Sequence, residues 1–253
     1  MHRVCASHSC QGGLQQEMPF NSRHTSHTYE SEIQELRAAL NAMGQRCLGA
    51  LGIALKAVQS GSRELARQVS GLDRAVNADE KAIDALTVRI LALRQPVACD
   101  LRLLAMSLKL VTDLERIGDE AVNIAERVAD GPLAAEPETV RDLEQMGIEA
   151  QRMVAAALEA FLEGDDAGAR EVLLQDDAVD ELYGKTMRAM EEYMRAHPAN
   201  VPSALCVMSV AKYIERVADH ATNVAEEVIF MVRGDDVRHA KSVGLVRSAR
   251  VVA

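Results

Sequence analysis

Residues Thr112–Val128 and Lys212–Val228 are two versions of one acidic helix. Laid over each other they share eight of 17 positions: Glu115/Glu215, Arg116/Arg216, Asp119/Asp219, Ala121/Ala221, Asn123/Asn223, Ala125/Ala225, Glu126/Glu226 and Val128/Val228. Three further positions exchange one aliphatic residue for another, where unrelated segments would share about one identity by chance. The preceding segments match more weakly, Val76, Glu80, Ile83, Asp84 and Leu86 against Val172, Asp176, Val179, Asp180 and Leu182. An internal duplication constrains the fold strongly, because each copy must bury its apolar face against its own helices or those of the other copy.

The periodicity around this repeat is helical nearly throughout. Ile33, Leu36, Leu40, Met43, Cys47, Leu51, Leu55 and Val58 recur at steps of three and four, which predicts one long amphipathic helix. Gly61-Ser62 ends it. A second helix is expected over about Arg63–Arg94, stopped by Pro96, which cannot continue the hydrogen-bond ladder. A third opens at Cys99 or Asp100 and runs to about Asp130. After the Gly131-Pro132 break, three more follow: about Pro137–Glu163, Asp165–His197 and Val201–Arg233. The expected fold is all-α, two tandem three-helix bundles related by duplication. The bounds are 25–131 for the first and 132–240 for the second, with a disordered extension over 1–24 and a flexible tail over 241–253.

Aromatic residues are scarce, with no Trp, three Phe and four Tyr, so Ala, Leu, Val and Met must fill the core. That composition suits close-packed helices; Met187, Met190 and Met194, at helical spacing, read as part of that filling. The formal net charge of −10 argues against binding nucleic acid or anionic lipid and favours cations or basic protein surfaces. Five scattered cysteines, Cys5, Cys10, Cys47, Cys99 and Cys206, form no C-x-x-C pair, so they read as buried or incidental thiols. Neither an apolar signal region nor a membrane span of about 18 apolar residues is present in the sequence. A cytoplasmic protein without membrane insertion is expected.

On a helical wheel the stripe Leu101, Leu104, Leu108, Val111 continues into Glu115, Asp119, Val122 and Glu126. One azimuth of the helix, expected to face a neighbour, thus changes from aliphatic to acidic partway along. The polar face lies elsewhere, through Lys109, Arg116, Asn123 and Arg127. The second copy repeats the stripe as Met208, Ala211, Glu215, Asp219, Thr222 and Glu226. The helix before each copy carries its own acidic pair, Glu80 with Asp84 and Asp176 with Asp180. Antiparallel packing along these stripes predicts two four-carboxylate sets: Glu80, Asp84, Glu115, Asp119, and Asp176, Asp180, Glu215, Asp219. Converging carboxylates repel unless a cation or a proton intervenes, and all-oxygen ligation suits hard or borderline ions. The bland alternative is a solvated face with the acids paired to Arg116, Arg216, Arg102 or Lys212.

Other candidates carry less. Di-iron helical bundles use Glu-x-x-His, whereas Gly118 and Ala218 stand three residues after Glu115 and Glu215, which argues against redox catalysis. His220 follows Asp219, but its counterpart is Glu120, so it reads as an exposed side chain; His24 and His27 precede the first helix without partner acids. The sequence contains no phosphate-binding Gly-rich loop and no Ser-His-Asp or Cys-His elbow.

These residues resemble the PhoU family, the accessory regulators of phosphate uptake. Glu115-Arg116-Ile117-Gly118-Asp119 and Glu215-Arg216-Val217-Ala218-Asp219 look like its duplicated acidic motif, and Arg94-Gln95-Pro96-Val97-Ala98-Cys99-Asp100-Leu101-Arg102 its linker. Val76-Asn77, Glu80, Ile83-Asp84 and the ending Val237-Arg238-His239 are similar too. The match spans about Thr25 to Ala240. It departs from the pattern at Ala218, at Asp176 in place of Glu80, and around Pro198, where the linker is not repeated.

The resemblance implies two side-by-side three-helix bundles, frequent homodimers, and metal ions, Fe, Mn, Mg or Zn, on the carboxylate motifs, better supported for the first than the second. It implies a non-enzymatic negative regulator acting between the ATPase subunit of a phosphate ABC transporter and a membrane sensor histidine kinase. A metal-dependent hydrolase or oxidase, and a plain helical interaction protein without metal, are the alternatives.

Overall fold

The computed structural model describes residues 27–131, 133 and 135–237. The predicted extension over 1–24, the tail over 241–253, His24 and Arg238-His239 lie outside the described residues. Six long helices account for nearly all the rest: α1 (His27–Ser60), α2 (Arg63–Arg94), α3 (Ala98–Asp130), α4 (Pro137–Glu163), α5 (Asp166–Ala196) and α6 (Val201–Arg233). A single 3-10 turn at Pro198–Asn200, which the periodicity did not signal, joins α5 to α6.

Local chemistry sets the helix ends. The Ser62 hydroxyl accepts from the Leu65 amide at the start of α2, and the Asp165 carboxylate accepts from the Ala167 amide at the start of α5. Gly164 closes α4 at φ 68°, a left-handed conformation that only glycine adopts without a Cβ penalty. Between α2 and α3 the turn around Pro96 puts two non-glycine residues, Gln95 (φ 48°) and Ala98 (φ 46°), in that same region. Flanking arginines hold this turn. Arg94 donates from Nε (2.7 Å) and Nη2 (2.9 Å) to the Glu32 carboxylate, and Arg102 donates from Nε to the Met231 carbonyl at the end of α6 (2.8 Å).

The first three helices pack on one another, as do the last three, and the two trios join through α3 against α6 and α1 against α4. Among the described residues α2 touches only its own trio and α5 only its own, so these two are the outer flanks. The join between α1 and α4 is reciprocal. A Cβ on Gly147 would lie 2.6 Å from Leu55 Cδ2, and one on Gly44 would collide with the Leu158 side chain. In the repeat Gly44 corresponds to Gly147 and Leu55 to Leu158, so each half lends the other the same leucine and the same gap. That exchange is the signature of a two-fold relation between the copies.

The core runs continuously through both trios and is built as the composition requires. Leu36, Leu40, Met43, Leu51, Leu104, Leu110, Ile117, Phe161, Met190, Ile214 and Val228 are all essentially inaccessible. Met187 and Met194 pack against it. Cys47 is buried, which pushes its thiol up to about 12, and Cys99 Sγ accepts from Arg102 Nη2 (3.8 Å). Leu101, predicted to face a neighbouring helix, is instead 47% exposed. It lies in the first turn of α3, where the bundle ends and the stripe runs out of partners.

Candidate functional site

The acidic stripe of α3 lies along its boundary with α2, and that of α6 along its boundary with α5. On α3, Ile117, Gly118, Ala121, Ile124 and Ala125 are buried, while Glu115 and Asp119 remain at the edge with side chains 19% and 36% exposed. The α2–α3 approach is close here: a Cβ on Gly118 would meet Val76 Cγ1 at 3.4 Å, an ordinary contact. Ala218 at the matching place in α6 is buried and fits the same packing. The Gly/Ala difference between the motifs is therefore a packing detail and does not distinguish their chemistry.

Glu115 is held above the usual carboxylate range, first by burial and then by the Asp119 charge, with Glu80 and Asp73 adding to it and Arg116 opposing. Glu215 is raised likewise, by burial and then by Asp219, Asp180 and Asp176, with Lys212 opposing. The second face thus gathers all four of its predicted carboxylates around Glu215, and Asp176 is 5% exposed. The first gathers Glu80, Glu115 and Asp119 and adds Asp73, which accepts from Asn77 (3.2 Å). Asp84 is half-buried one turn along α2 from Glu80. Asp73 lies two turns before Glu80 on α2, and only the register between α2 and α3 shows that it belongs with Glu115.

The motif arginines behave differently in the two copies. Arg116 lies over its own motif, Nε 3.5 Å from Glu115 Oε2 and Nη1 3.3 Å from Asp119 Oδ2. Arg216 reaches across the α3–α6 seam to Glu120, Nη1 to Oε1 at 3.0 Å, and Glu120 is only 2% exposed. Asn123 also donates to Glu120 (3.0 Å). Two turns back along α3, His220 Nδ1 lies 2.7 Å from Asp113 Oδ1, which also accepts from Asn223 (3.3 Å). His220 is therefore not the exposed side chain the sequence suggested; it sits half-buried in the seam with a carboxylate partner. The face of α3 that reads as its polar side contributes this seam. Arg102, offered as a counter-ion for the motifs, serves the α6 carbonyls instead.

The PhoU-domain family model matches twice, over residues 40–128 and 143–228. The chain belongs to the PhoU family. It is 39% identical over 229 residues to the phosphate-specific transport system accessory protein PhoU homolog of Pseudomonas aeruginosa, covering 89% of this chain and 93% of that one. The Escherichia coli accessory protein PhoU is 33% identical over 218 residues, covering 86% and 90%. The fold agrees with the crystal structure of PhoU from Pseudomonas aeruginosa at a TM-score of 0.78, with 37% identity over 82% of this chain and 100% of that one. The phosphate transport system regulatory protein PhoU from Streptococcus pneumoniae gives 0.74 at 28% identity, over 83% and 99%. These relatives are named as accessory and regulatory proteins and not as enzymes.

For a metal ion, the chemistry of the donor set fits: oxygen-only ligands on facing helices, with one glutamate in each set strained by burial and by like charges. As the side chains stand, no three His, Cys, Asp or Glu among the described residues form a closed ligand group. Ligation would require carboxylates to turn toward a shared point from the grooves they line.

Proposed function

We propose that this protein is a cytoplasmic accessory regulator of phosphate uptake and phosphate-starvation signalling. The match of both repeats to the PhoU-domain model supports this most directly. Within that role it acts as an adaptor, docking on the ATPase subunit of a phosphate transporter and on the sensor histidine kinase, and restraining both when phosphate is plentiful. Among the described residues no helix is long and apolar enough to cross a membrane, consistent with an adaptor that meets membrane partners from one side.

The carboxylate faces carry the ligand side of the proposal. Glu115 and Asp119 with Glu80 and Asp73, and Glu215 and Asp219 with Asp176 and Asp180, would hold divalent or trivalent ions such as Fe, Mn, Mg or Zn. A bound ion would neutralise these carboxylates, and so set which partner surface the acidic face accepts. Association into a homodimer is part of the same reading and is tested by sedimentation.

Deleting the gene and growing cells in excess phosphate tests the regulatory role: starvation genes are expected to be expressed. Their continued repression would sink the proposal. Complementation with Glu115→Ala/Asp119→Ala then asks whether the acids matter. For the first face Arg116, which already lies over the carboxylates, favours a second reading in which this face works without metal. Elemental analysis of the purified Glu215→Gln/Asp219→Asn variant separates the two.

A further inference from the structure

The two-fold relation between the repeats makes the two ends of their join comparable residue by residue. The offset that matches Gly44 with Gly147 also matches Arg37 with Val140 and Val58 with Phe161. It carries on through Gly61 and Gly164, both left-handed, and sets Arg63 opposite Asp166. On the third helices the offset of the acidic motifs makes Leu133 the counterpart of Arg233.

One end of the join is closed. Phe161 is 1% exposed, Arg37 donates to the Leu162 carbonyl, and Arg233 donates to the Asp166 carboxylate at 2.9 and 3.0 Å. At the other end every one of these places holds a residue of different capacity. Val58 stands for the aromatic ring, Val140 for the long guanidinium side chain, and Arg63 with Leu133 for the ion pair. A cavity of about 420 Å³ lies there, lined by Val58, Arg63 and Val128 from the first trio and by Val140, Leu143 and Val207 from the second. Packed interiors seldom leave voids larger than a water molecule, and this volume is in the range of small-molecule sites.

The charge at the cavity selects its occupant. Val128, Leu143 and Val207 are buried apolar walls, whereas Arg63 is exposed and forms no ion pair with any of the described residues. Its neighbour Glu64 is taken by Arg67. Arg63 is also the first residue of α2, where the amide end of the helix favours negative charge. We propose that this cavity is a ligand site for a small amphipathic anion, whose apolar body takes the place that Phe161 fills at the opposite end and whose anionic head pairs with Arg63. Because the walls come from both trios, the ligand ties one repeat to the other. The inference stands on the break in the repeat symmetry and is independent of the cation-binding and regulatory readings.

The test is titration of the full chain with anilinonaphthalene sulfonate, an aromatic body with one anionic head, followed by its fluorescence. One saturable site is expected, because the net charge of −10 disfavours scattered anion binding. Phenylbutyrate should displace the dye, and phenylbutanol, which lacks the charge, should displace it about tenfold less well. Arg63→Gln should weaken the dye and phenylbutyrate by about tenfold and leave phenylbutanol unaltered. Val58→Phe, which copies Phe161 into the cavity, should abolish binding of all three. The absence of a saturable site, displacement as strong by phenylbutanol as by phenylbutyrate, or full-strength binding to Arg63→Gln would overturn the inference. Binding retained by a folded Val58→Phe protein would do the same; where that variant fails to fold, the exposed Arg63→Gln change decides.

Discussion

Gly147 of α4 lies against Leu55 of α1 so closely that a methyl group in place of the glycine hydrogen would sit 2.6 Å from the leucine Cδ2. Its repeat counterpart, Gly44 against Leu158, is tighter still. These two contacts fix how near α1 and α4 approach, and so how the trios join.

Gly147→Ala should therefore destabilise, although alanine is the better helix former. Forcing a carbon into a packed interface costs about 1–3 kcal/mol, which for a chain of this size lowers Tm by roughly 2–4 °C per kcal/mol. Gly49, also within α1, faces open space: a methyl group there would meet nothing within 4 Å. Gly49→Ala should accordingly gain about 0.5–1 kcal/mol. Thermal unfolding of the two variants side by side checks the claim; equal shifts would refute it.

Gly118→Ala should resemble Gly49→Ala more than Gly147→Ala. The new methyl would make an ordinary contact with Val76, and the alanine at the matching place, Ala218, is buried in its own bundle. A stability change between zero and a gain of about 1 kcal/mol is expected, with unaltered Mn²⁺ binding. Loss of binding would show that the glycine serves the motif itself.

The raised proton affinities of Glu115 and Glu215 give a stability prediction with a definite sign. A carboxyl raised in the folded state favours folding below the ordinary glutamate range, and that contribution is lost as pH rises through the raised value. At neutral pH both ionised groups therefore oppose folding. Glu115→Gln and Glu215→Gln should raise the Tm of the metal-free protein at pH 7, and the gain should vanish below about pH 4, where wild-type carboxyls are protonated. A gain that persists undiminished at low pH would mean that the charge is not its source.

Arg216→Ala should cost about 1–3 kcal/mol by leaving the Glu120 carboxylate buried without its guanidinium. Replacing both partners in Glu120→Gln/Arg216→Gln should recover most of that loss, because no buried charge remains. Denaturant midpoints of the three proteins decide it. An Arg216→Ala protein as stable as wild type would mean that the seam pair holds nothing in place.

Helix existence and order were legible because each depends on neighbours in sequence. The stops at Gly61-Ser62, Pro96, Gly131, Gly164 and Gly234 are local backbone chemistry, and the three- and four-residue spacing of Leu36, Leu40, Met43 and Leu51 states which side is buried. The 3-10 turn at Pro198–Asn200 carried no such periodic signal. Glu115, Asp119, Glu215 and Asp219 were legible as a pair of motifs because the duplication displayed them twice. The place of Asp73 beside Glu115 was not, since it depends on the register between two antiparallel helices.

By itself the sequence determined the duplication, the helices and the acidic azimuth on each third helix, all properties of a chain read over a few turns. Tertiary structure decided what those azimuths meet. Glu120 and His220 look like two unremarkable polar residues at equivalent positions until α3 is laid against α6. Only there does burial make the Glu120 charge dependent on Arg216, while His220 turns to Asp113. Near-identical motifs thus acquire different electrostatics because a buried charge selects its partner across space, among residues far apart along the chain.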